Sequence, residues 1–307
     1  MKLIHNIQSD ILNKGSVVSI GSFDGVHLGH QKIISFLNSV ADKQNLVSVI
    51  ISFTPHPRIF FKPETDIKLL TTDIEKSDLL SKTNLDYLIL QDFNFDFAGQ
   101  SPQSFIELLT KQLKMKHLIM GYDHHFGKNQ SGNYEYIKSL ESRYNFTTHR
   151  IDAVVKNDIN ISSTVIRKAL CNGDILLANS YLGYQYFITG KVVSGNKLGR
   201  QLGYPTANIS VENPHKLIPK QGVYVVYTEI DKQKFFGMMN IGFRPTINGK
   251  KQIKEVHFFD FNRDIYGREI KVHFINRLRN EQKFNSLEAL KQQLKKDEIQ
   301  ARKEVSG

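Results

Sequence analysis

Two histidines three residues apart, His27 and His30, close a glycine-spaced run, Gly21-Ser-Phe-Asp-Gly-Val-His-Leu-Gly-His30. Gly21, Gly25 and Gly29 let the backbone approach a bulky anion, and the three-residue spacing in a first helical turn aims both imidazoles at one point. A helix N-terminus adds N–H groups and a partial positive charge, which together suit phosphate. The run is not a Walker A loop, since no Gly-Lys-[Ser/Thr] follows. It is not the dinucleotide Gly-x-Gly-x-x-Gly either, and the His-Glu-x-x-His spacing of a zincin is absent. A phosphate-binding turn and a pair of surface or capping histidines remain, and the glycine frame between a strand and a helix favours the first. Further on, an extended Pro205-Thr-Ala-Asn208 puts residues 206 and 208 on one face. The Thr206 hydroxyl and the Asn208 carboxamide oxygen then suit a hard cation such as Mg²⁺, although a turn after Pro205 would explain the same four residues. Just upstream, Gly195, Gly199 and Gly203 frame either a phosphate-packing loop or a plain surface loop.

These groups need elements to hold them. Val17–Ile20 reads as a buried strand and Leu28–Val40 as an amphipathic helix, so the histidines fall at a strand–helix turn. Near-continuous apolar strands at 46–53, 87–90 and 117–120 alternate with helices near 74–81 and 101–113. Strands of that kind belong to a parallel sheet covered on both faces, so the first half is a doubly wound α/β domain. Two short helices, 163–171 and 174–182, end it. From Tyr184 the texture changes to short β-rich runs at 186–193, 222–228, 235–241, 255–261 and 269–275, broken by glycine and proline turns. That spacing predicts a small antiparallel β-barrel, closed by a terminal helix capped at Ser286. The expected domains are 1–183 and 184–307.

The charge divides in the same place. The chain has 307 residues and a net charge of +11. Up to residue 183 there are 19 Lys and Arg against 18 Asp and Glu; from 184 on there are 22 against 12. The basic half points to phosphorylated or anionic ligands, or to a solubilising surface. A nucleic-acid binder would also be basic, but aromatic and basic residues are not interleaved in any RNA-binding pattern, so no nucleic-acid partner is expected. No stretch approaches the roughly 20 apolar residues of a membrane helix, and the N-terminus has no signal-like apolar core. The single cysteine, Cys171, excludes an intramolecular disulfide and reads as a small core residue of an apolar helix. A cytoplasmic enzyme with no obligate protein partner is the expectation.

The motifs taken together resemble a family. The histidine run is similar to that of the nucleotidyltransferase superfamily. Phe53-Thr-Pro-His-Pro57, Gly121-Tyr-Asp-His-His-Phe-Gly127 and Ser162-Ser-Thr-Val-Ile-Arg167 narrow the resemblance to the adenylyltransferase half of bacterial bifunctional riboflavin kinase/FAD synthetases. The second half resembles the riboflavin kinase module through Gly195-x-x-x-Gly-Arg-x-Leu-Gly-Tyr-Pro-Thr-Ala-Asn208, Asn240-Ile-Gly-Phe-Arg-Pro-Thr246, Glu255-Val-His and Leu278-Arg-Asn-Glu-Gln-Lys-Phe284. The resemblance implies phosphorylation of riboflavin to FMN and adenylylation of FMN to FAD, with ATP as co-substrate, Mg²⁺ as metal, and ADP and pyrophosphate released. It assigns His27 and His30 to catalysis on ATP phosphates. Gly21, Phe23, Asp24, Gly25, Asp123 and Gly127 are assigned to the nucleotide, and Ser163, Thr164 and Arg167 to the triphosphate. In the kinase half it assigns Glu255 as general base, Thr206 and Asn208 to the metal, and Gly195, Gly199, Arg200, Gly203, Arg244 and Arg279 to ligand contact. Without the family, Ser162-Ser-Thr164 is an ordinary helix cap, and Glu255 is a strand carboxylate that Lys254 or Lys271 could pair. Two positions depart from the pattern: His124, where Phe is usual, and Ser194, where His often precedes the glycine.

Overall fold

A strand with apolar side chains on both faces is stable only between two layers, and Ser16–Ile20 is buried at every position. The computed structural model of the chain describes residues 1–9, 11–63, 67–122, 127, 131–195, 199, 202–246 and 249–306, with side chains at 244–246 and 249–251 left aside. By contacts it divides into Met1–Ser163 and Thr164–Gly307.

The first unit runs β1 (Lys2–His5), β2 (Ser16–Ile20), α1 (Leu28–Gln44), β3 (Val47–Thr54), α2 (Pro57–Phe61), α3 (Asp73–Ser81), β4 (Tyr87–Asp92), α4 (Phe95–Ala98) and α5 (Pro102–Gln112). It continues through β5 (Met115–Gly121), α6 (Tyr134–Ser139), α7 (Glu141–Tyr144), β6 (Thr147–Ile151) and a small hairpin, β7 (Val155–Lys156) and β8 (Ile159–Asn160). The main sheet is parallel, in the order β1-β4-β3-β2-β5-β6. Alternation sorts its side chains. Val18, Val49, Leu118 and Met120 pack with Phe105 and Leu109 of α5, while Val17, Ile50, Leu88 and Ile119 pack with Ile34, Leu37 and Ala41 of α1. The chain leaves β2 for β3 on one side, and β5 adjoins β2 on the other. The ends of β2 and β5 therefore form the switch point at which open α/β sheets bind ligands.

The second unit holds α8 (Ser163–Asn172, from Thr164 on), α9 (Ile175–Leu182), β9 (Phe187–Val193), β10 (Ala207–Ser210), β11 (Gly222–Ile230), β12 (Gln233–Thr246), β13 (Gly249–Phe258), β14 (Glu269–Arg279) and α10 (Leu287–Ser306). Its strands close into an antiparallel barrel, β10-β13-β12-β11-β14-β9. One side-chain parity, including Val223, Val225 and Met238, packs with Ala301 and Leu294 of α10. The other, including Tyr224, Val226, Met239 and Phe274, is fully buried.

The fold matches the expected α/β domain followed by a barrel and terminal helix. Three details differ from expectation. Cys171 is exposed rather than in the core, because it lies on the outward side of α8. The run expected at 255–261 is the end of β13, which begins at Gly249 and stops at Phe258: Asp260 turns to a left-handed φ of 53° and its carboxylate pairs with Arg302 of α10 at 2.8 Å. The contact division falls at Ser163/Thr164, twenty residues before 183/184, because α8 and α9 bond to the barrel. Asn179 of α9 donates to the Phe274 carbonyl at 2.9 Å and accepts from the Tyr186 N–H at 2.7 Å, and the Lys220 N–H donates to the Leu170 carbonyl at 3.1 Å.

Candidate active sites

The glycine run is held in an unusual backbone path. Phe23, Gly25 and Val26 all have positive φ (47°, 82° and 38°), which bends the chain out of β2 and into α1 within seven residues. The Asp24 carboxylate, 2% exposed, holds that bend. It accepts the Leu70 N–H at 3.1 Å and the Thr71 N–H at 3.0 Å, while the Thr71 hydroxyl accepts the Gly25 N–H at 3.1 Å. Ser163 donates its hydroxyl to the Asp24 carbonyl at 2.9 Å. Asp24 is thus a brace of the turn, and its carboxylate is engaged with the chain.

His27 is the N-cap of α1, in extended conformation, and its Nδ1 accepts the His30 N–H at 3.4 Å. In a neutral ring that acceptor role leaves the proton on Nε2, the nitrogen able to donate to a phosphate oxygen. The two imidazoles stack, 3.7 Å between centroids at 20°. Gly29 makes room for this: a Cβ there would sit 3.1 Å from the His27 ring. Phe23 backs His30 at 5.0 Å between ring centroids. Among the residues assigned to the nucleotide, Gly21, Phe23, Gly25, His27 and His30 come together in this turn. Gly127 lies beside Pro102 at φ 77°. Asp123, like His124, lies outside the described residues. Thr164 falls in the first turn of α8 and Arg167 at the start of the next, and the contact division gives both to the second unit.

Two features at the strand ends escaped sequence reasoning. Lys76, 4% exposed, donates to the Ser52 hydroxyl at 2.9 Å and pairs with Asp73 at 3.1 Å, and Ser52 donates to the Ser22 carbonyl of the glycine run at 3.1 Å. A buried ammonium so placed braces the run and carries positive charge next to it. An aromatic group gathers beyond β3 and β4: Phe60 packs edge-on to Phe95 at 4.8 Å and to Phe93 at 5.4 Å, with Phe53 and Phe97 behind. Phe95 is 79% exposed and Phe61 59%, so ring faces are open to solvent. The only sequence hint was the phenylalanine density of Ile59-Phe-Phe61 and Phe93-Asn-Phe-Asp-Phe97.

In the barrel, register does the positioning. Asn208 of β10 stands directly opposite Glu255 of β13, which stands opposite Asn240 of β12. Directly opposed residues share a face, so the three polar side chains form one row. Two cavities flank this region. One, of about 350 Å³, is lined by Thr206, Asn240, Glu255 and His257 on the barrel side and by Leu290 and Leu294 of α10. The other, of about 420 Å³, is lined by Val192, Pro205, Thr206, Phe261, Asp264 and Tyr266. Thr206 belongs to both walls; Glu255 belongs only to the first. His257 holds the strand entry, its Nδ1 lying 2.8 Å from the Pro205 carbonyl.

The remaining assigned residues sort by position. Gly195 lies against the Asn208 side chain, which a Cβ at 195 would overlap, and a Cβ at Gly199 would overlap the Tyr204 carbonyl. Gly203 has φ 85°. Arg279 lines the first cavity, but its guanidinium is bound to Asp297 of α10, with Nε at 2.9 Å and Nη2 at 2.7 Å. Asp297 is 3% exposed and also accepts from Gln293 at 2.8 Å, so this pair fastens α10 to β14. Arg244 of β12 stands opposite Lys251 of β13, placed by backbone alone. Arg200 lies outside the described residues. The donor set fits Mg²⁺: Thr206 and Asn208 offer neutral oxygens, and this ion takes few protein ligands and completes its shell with phosphates and water.

Comparison with known proteins gives the family. Residues 9–165 match the family model described as FAD synthetase, and residues 182–305 match riboflavin kinase. The chain is 41% identical over 306 residues to the bifunctional riboflavin kinase/FMN adenylyltransferase of Buchnera aphidicola from Schizaphis graminum, covering 97% of this chain and 96% of that protein. It is 39% identical over 300 residues to the protein so named from Haemophilus influenzae, covering 97% of each. A crystal structure described as a macrolide-efflux protein from Streptococcus pneumoniae superposes with a TM-score of 0.89 at 33% identity, covering 98% of each chain. Among the described residues no helix is long and apolar enough to cross a membrane.

Proposed function

The chain belongs to the family of bifunctional riboflavin kinase/FMN adenylyltransferases, and from that premise we propose how its parts divide two ATP-dependent reactions on flavin. In the barrel, riboflavin occupies the cavity lined by Glu255 and the nucleotide the cavity on the other side of Thr206. The observation that carries this is that Thr206 lines both, so an acceptor and a phosphoryl donor in separate cavities meet at one residue. Glu255 takes the proton of the riboflavin 5′-hydroxyl as its oxygen attacks the γ-phosphorus. The bond to the bridging oxygen breaks and ADP leaves. Thr206 and Asn208 hold Mg²⁺, which neutralises phosphate charge when bound, and the loop of Gly195, Gly199 and Gly203 packs against the phosphates.

In the α/β unit the FMN phosphate oxygen attacks the α-phosphorus of ATP and pyrophosphate departs. The protein contributes position and charge rather than covalent chemistry. His27 and His30, the N–H groups at the start of α1, and the glycine run bind the phosphates. Ser163, Thr164 and Arg167 are assigned to the triphosphate by the family pattern, and the open phenylalanine faces supply stacking for the flavin ring. ATP as co-substrate and an exposed thiol at Cys171 support a cytoplasmic setting.

The test resolves FMN from FAD by chromatography after incubation with riboflavin, ATP and Mg²⁺. Glu255→Gln keeps the size and removes the basicity, so FMN formation falls about 10²- to 10⁴-fold, while FAD formation from supplied FMN persists. His27→Ala with His30→Ala lets FMN accumulate and stops FAD. Loss of both activities, phosphorylation of riboflavin and adenylylation of supplied FMN, in either folded variant would replace two sites by one shared site.

A further inference from the structure

Some of the polar side chains around the α10-covered cavity are already engaged. Arg279 and Asp297 bind each other, and His257 holds the Pro205 carbonyl. Asn240 lines the same cavity, half-buried, and its carboxamide makes no hydrogen bond with any described residue. Its place is fixed from both sides, by Glu255 across one strand pair and Val223 across the other. Directly opposed residues in an antiparallel pair carry their Cβ atoms roughly 5 Å apart. Asn240 therefore presents one donor pair and one acceptor to whatever lies a single step from the group that Glu255 deprotonates.

A carboxamide can donate to and accept from the same hydroxyl, which no aromatic or methyl group on the acceptor could match. The acceptor carries its reacting hydroxyl at the end of a polyol chain, with another hydroxyl on the neighbouring carbon. That step along the chain is shorter than the reach of Asn240 beside Glu255. Resting on the kinase reading above, we infer that Asn240 determines specificity for a polyol acceptor by binding the hydroxyl next to the one phosphorylated, the ribityl 4′-hydroxyl. The bond fixes rotation about the terminal carbon, so the attacking oxygen is presented to Glu255 and the phosphate in one orientation. An acceptor lacking that hydroxyl would leave the Asn240 carboxamide without a partner against the bound flavin, which is the condition for discrimination.

The experiment compares riboflavin with 4′-deoxyriboflavin as acceptors for the full chain with Mg²⁺ and ATP, reading kcat/KM for the phosphorylated flavin. The wild-type protein should favour riboflavin by about tenfold or more, the worth of a hydrogen bond with its unpaired penalty. Asn240→Leu, near in volume but without polar atoms, should lose about that factor on riboflavin while leaving the deoxy analogue almost unchanged, so the preference vanishes. Asn240→Asp keeps the shape and an acceptor oxygen, and should retain part of the preference if the leucine variant folds poorly. Equal losses on both acceptors, or a wild-type protein indifferent to the 4′-hydroxyl, would overturn the assignment. A wild-type protein that phosphorylates neither flavin would overturn the kinase reading itself, and this assignment with it.

Discussion

Residue types around the two turns were legible, but their directions were not. His27 and His30 announced a phosphate site by spacing, and the structure adds why Gly29 separates them: a Cβ there crowds the His27 ring at 3.1 Å. Asp24 stood in the same run and was assigned to the nucleotide, yet its carboxylate turns to Leu70 and Thr71, a partner set 46 residues along the chain that no local pattern reveals. Lys76 escaped for the same reason, since a lysine in an otherwise ordinary helix becomes meaningful only when Ser52 meets it. The brace has a measurable consequence. Asp24→Asn retains one acceptor oxygen but turns an amide N–H₂ towards a backbone donor, leaving an unmade buried bond worth about 1–3 kcal/mol. Displacing the turn by even a fraction of an ångström misplaces the phosphates, so FAD formation from FMN should fall by up to about 10²-fold. FMN formation from riboflavin should be unchanged, because the barrel site shares no residue with this turn. Normal FAD synthesis in the Asp24→Asn variant would show that the brace is dispensable.

At the level of elements, the apolar runs of the α/β half were legible, while its polar or very short strands, β1, β6, β7 and β8, were not. β2, β3 and β5 are buried on both faces and could be nothing but central strands, whereas β6, Thr147-Thr-His-Arg-Ile151, alternates polar residues and carries no clear signal. β6 nevertheless brings His149 beside His117 of β5, with His117 Nδ1 3.1 Å from His149 Nε2 and His117 Nε2 2.8 Å from the Gln44 Oε1 of α1. Burial pushes both imidazoles below the ordinary histidine range. At His117 the neighbouring His149 adds to the effect, while Glu141 partly opposes it at His149. The consequence for stability has a definite sign. Histidines of the unfolded chain take up protons near about pH 6.5. The folded pair does so only at lower pH, so below that value the unfolded state binds more protons and stability falls with pH. Above about pH 6.5 the contribution is fully present. The unfolding midpoint of the α/β unit should therefore drop as the pH is lowered through that window, and the His117→Gln, His149→Gln double variant should show a flatter profile. A slope unaltered by the double substitution would assign the acid sensitivity elsewhere.

For the whole molecule, contacts place the division at Ser163/Thr164, twenty residues before the change of texture that set the expected boundary. Residues 1–163 carry 17 Lys and Arg and 17 Asp and Glu, while residues 164–307 carry 24 against 13, so the entire net charge belongs to the second unit. The change of texture at Tyr184 marked where β-strands begin, and periodicity cannot report which neighbour a preceding helix bonds to. α8 and α9 read as the tail of an α/β domain, yet three polar links tie them to the barrel: Asn179 to both Phe274 and Tyr186, and Leu170 to Lys220. Gly173, at φ 85°, lies so close to Arg277 of β14 that a Cβ would come within 2.8 Å of its side chain. A fragment of residues 164–307 should then fold cooperatively and phosphorylate riboflavin at close to the rate of the full chain. A fragment of residues 184–307 exposes the Tyr186 N–H, the Phe274 carbonyl and the Lys220 N–H. At about 0.5–1.5 kcal/mol for each net bond the loss is about 3 kcal/mol, a large part of the ~5–15 kcal/mol that holds a domain together. Urea unfolding of the two fragments side by side checks this: the shorter one should have the lower midpoint and the lower yield of FMN. Equal midpoints would mean that α8 and α9 decorate the barrel without supporting it, and the unit boundary would move to Gly183.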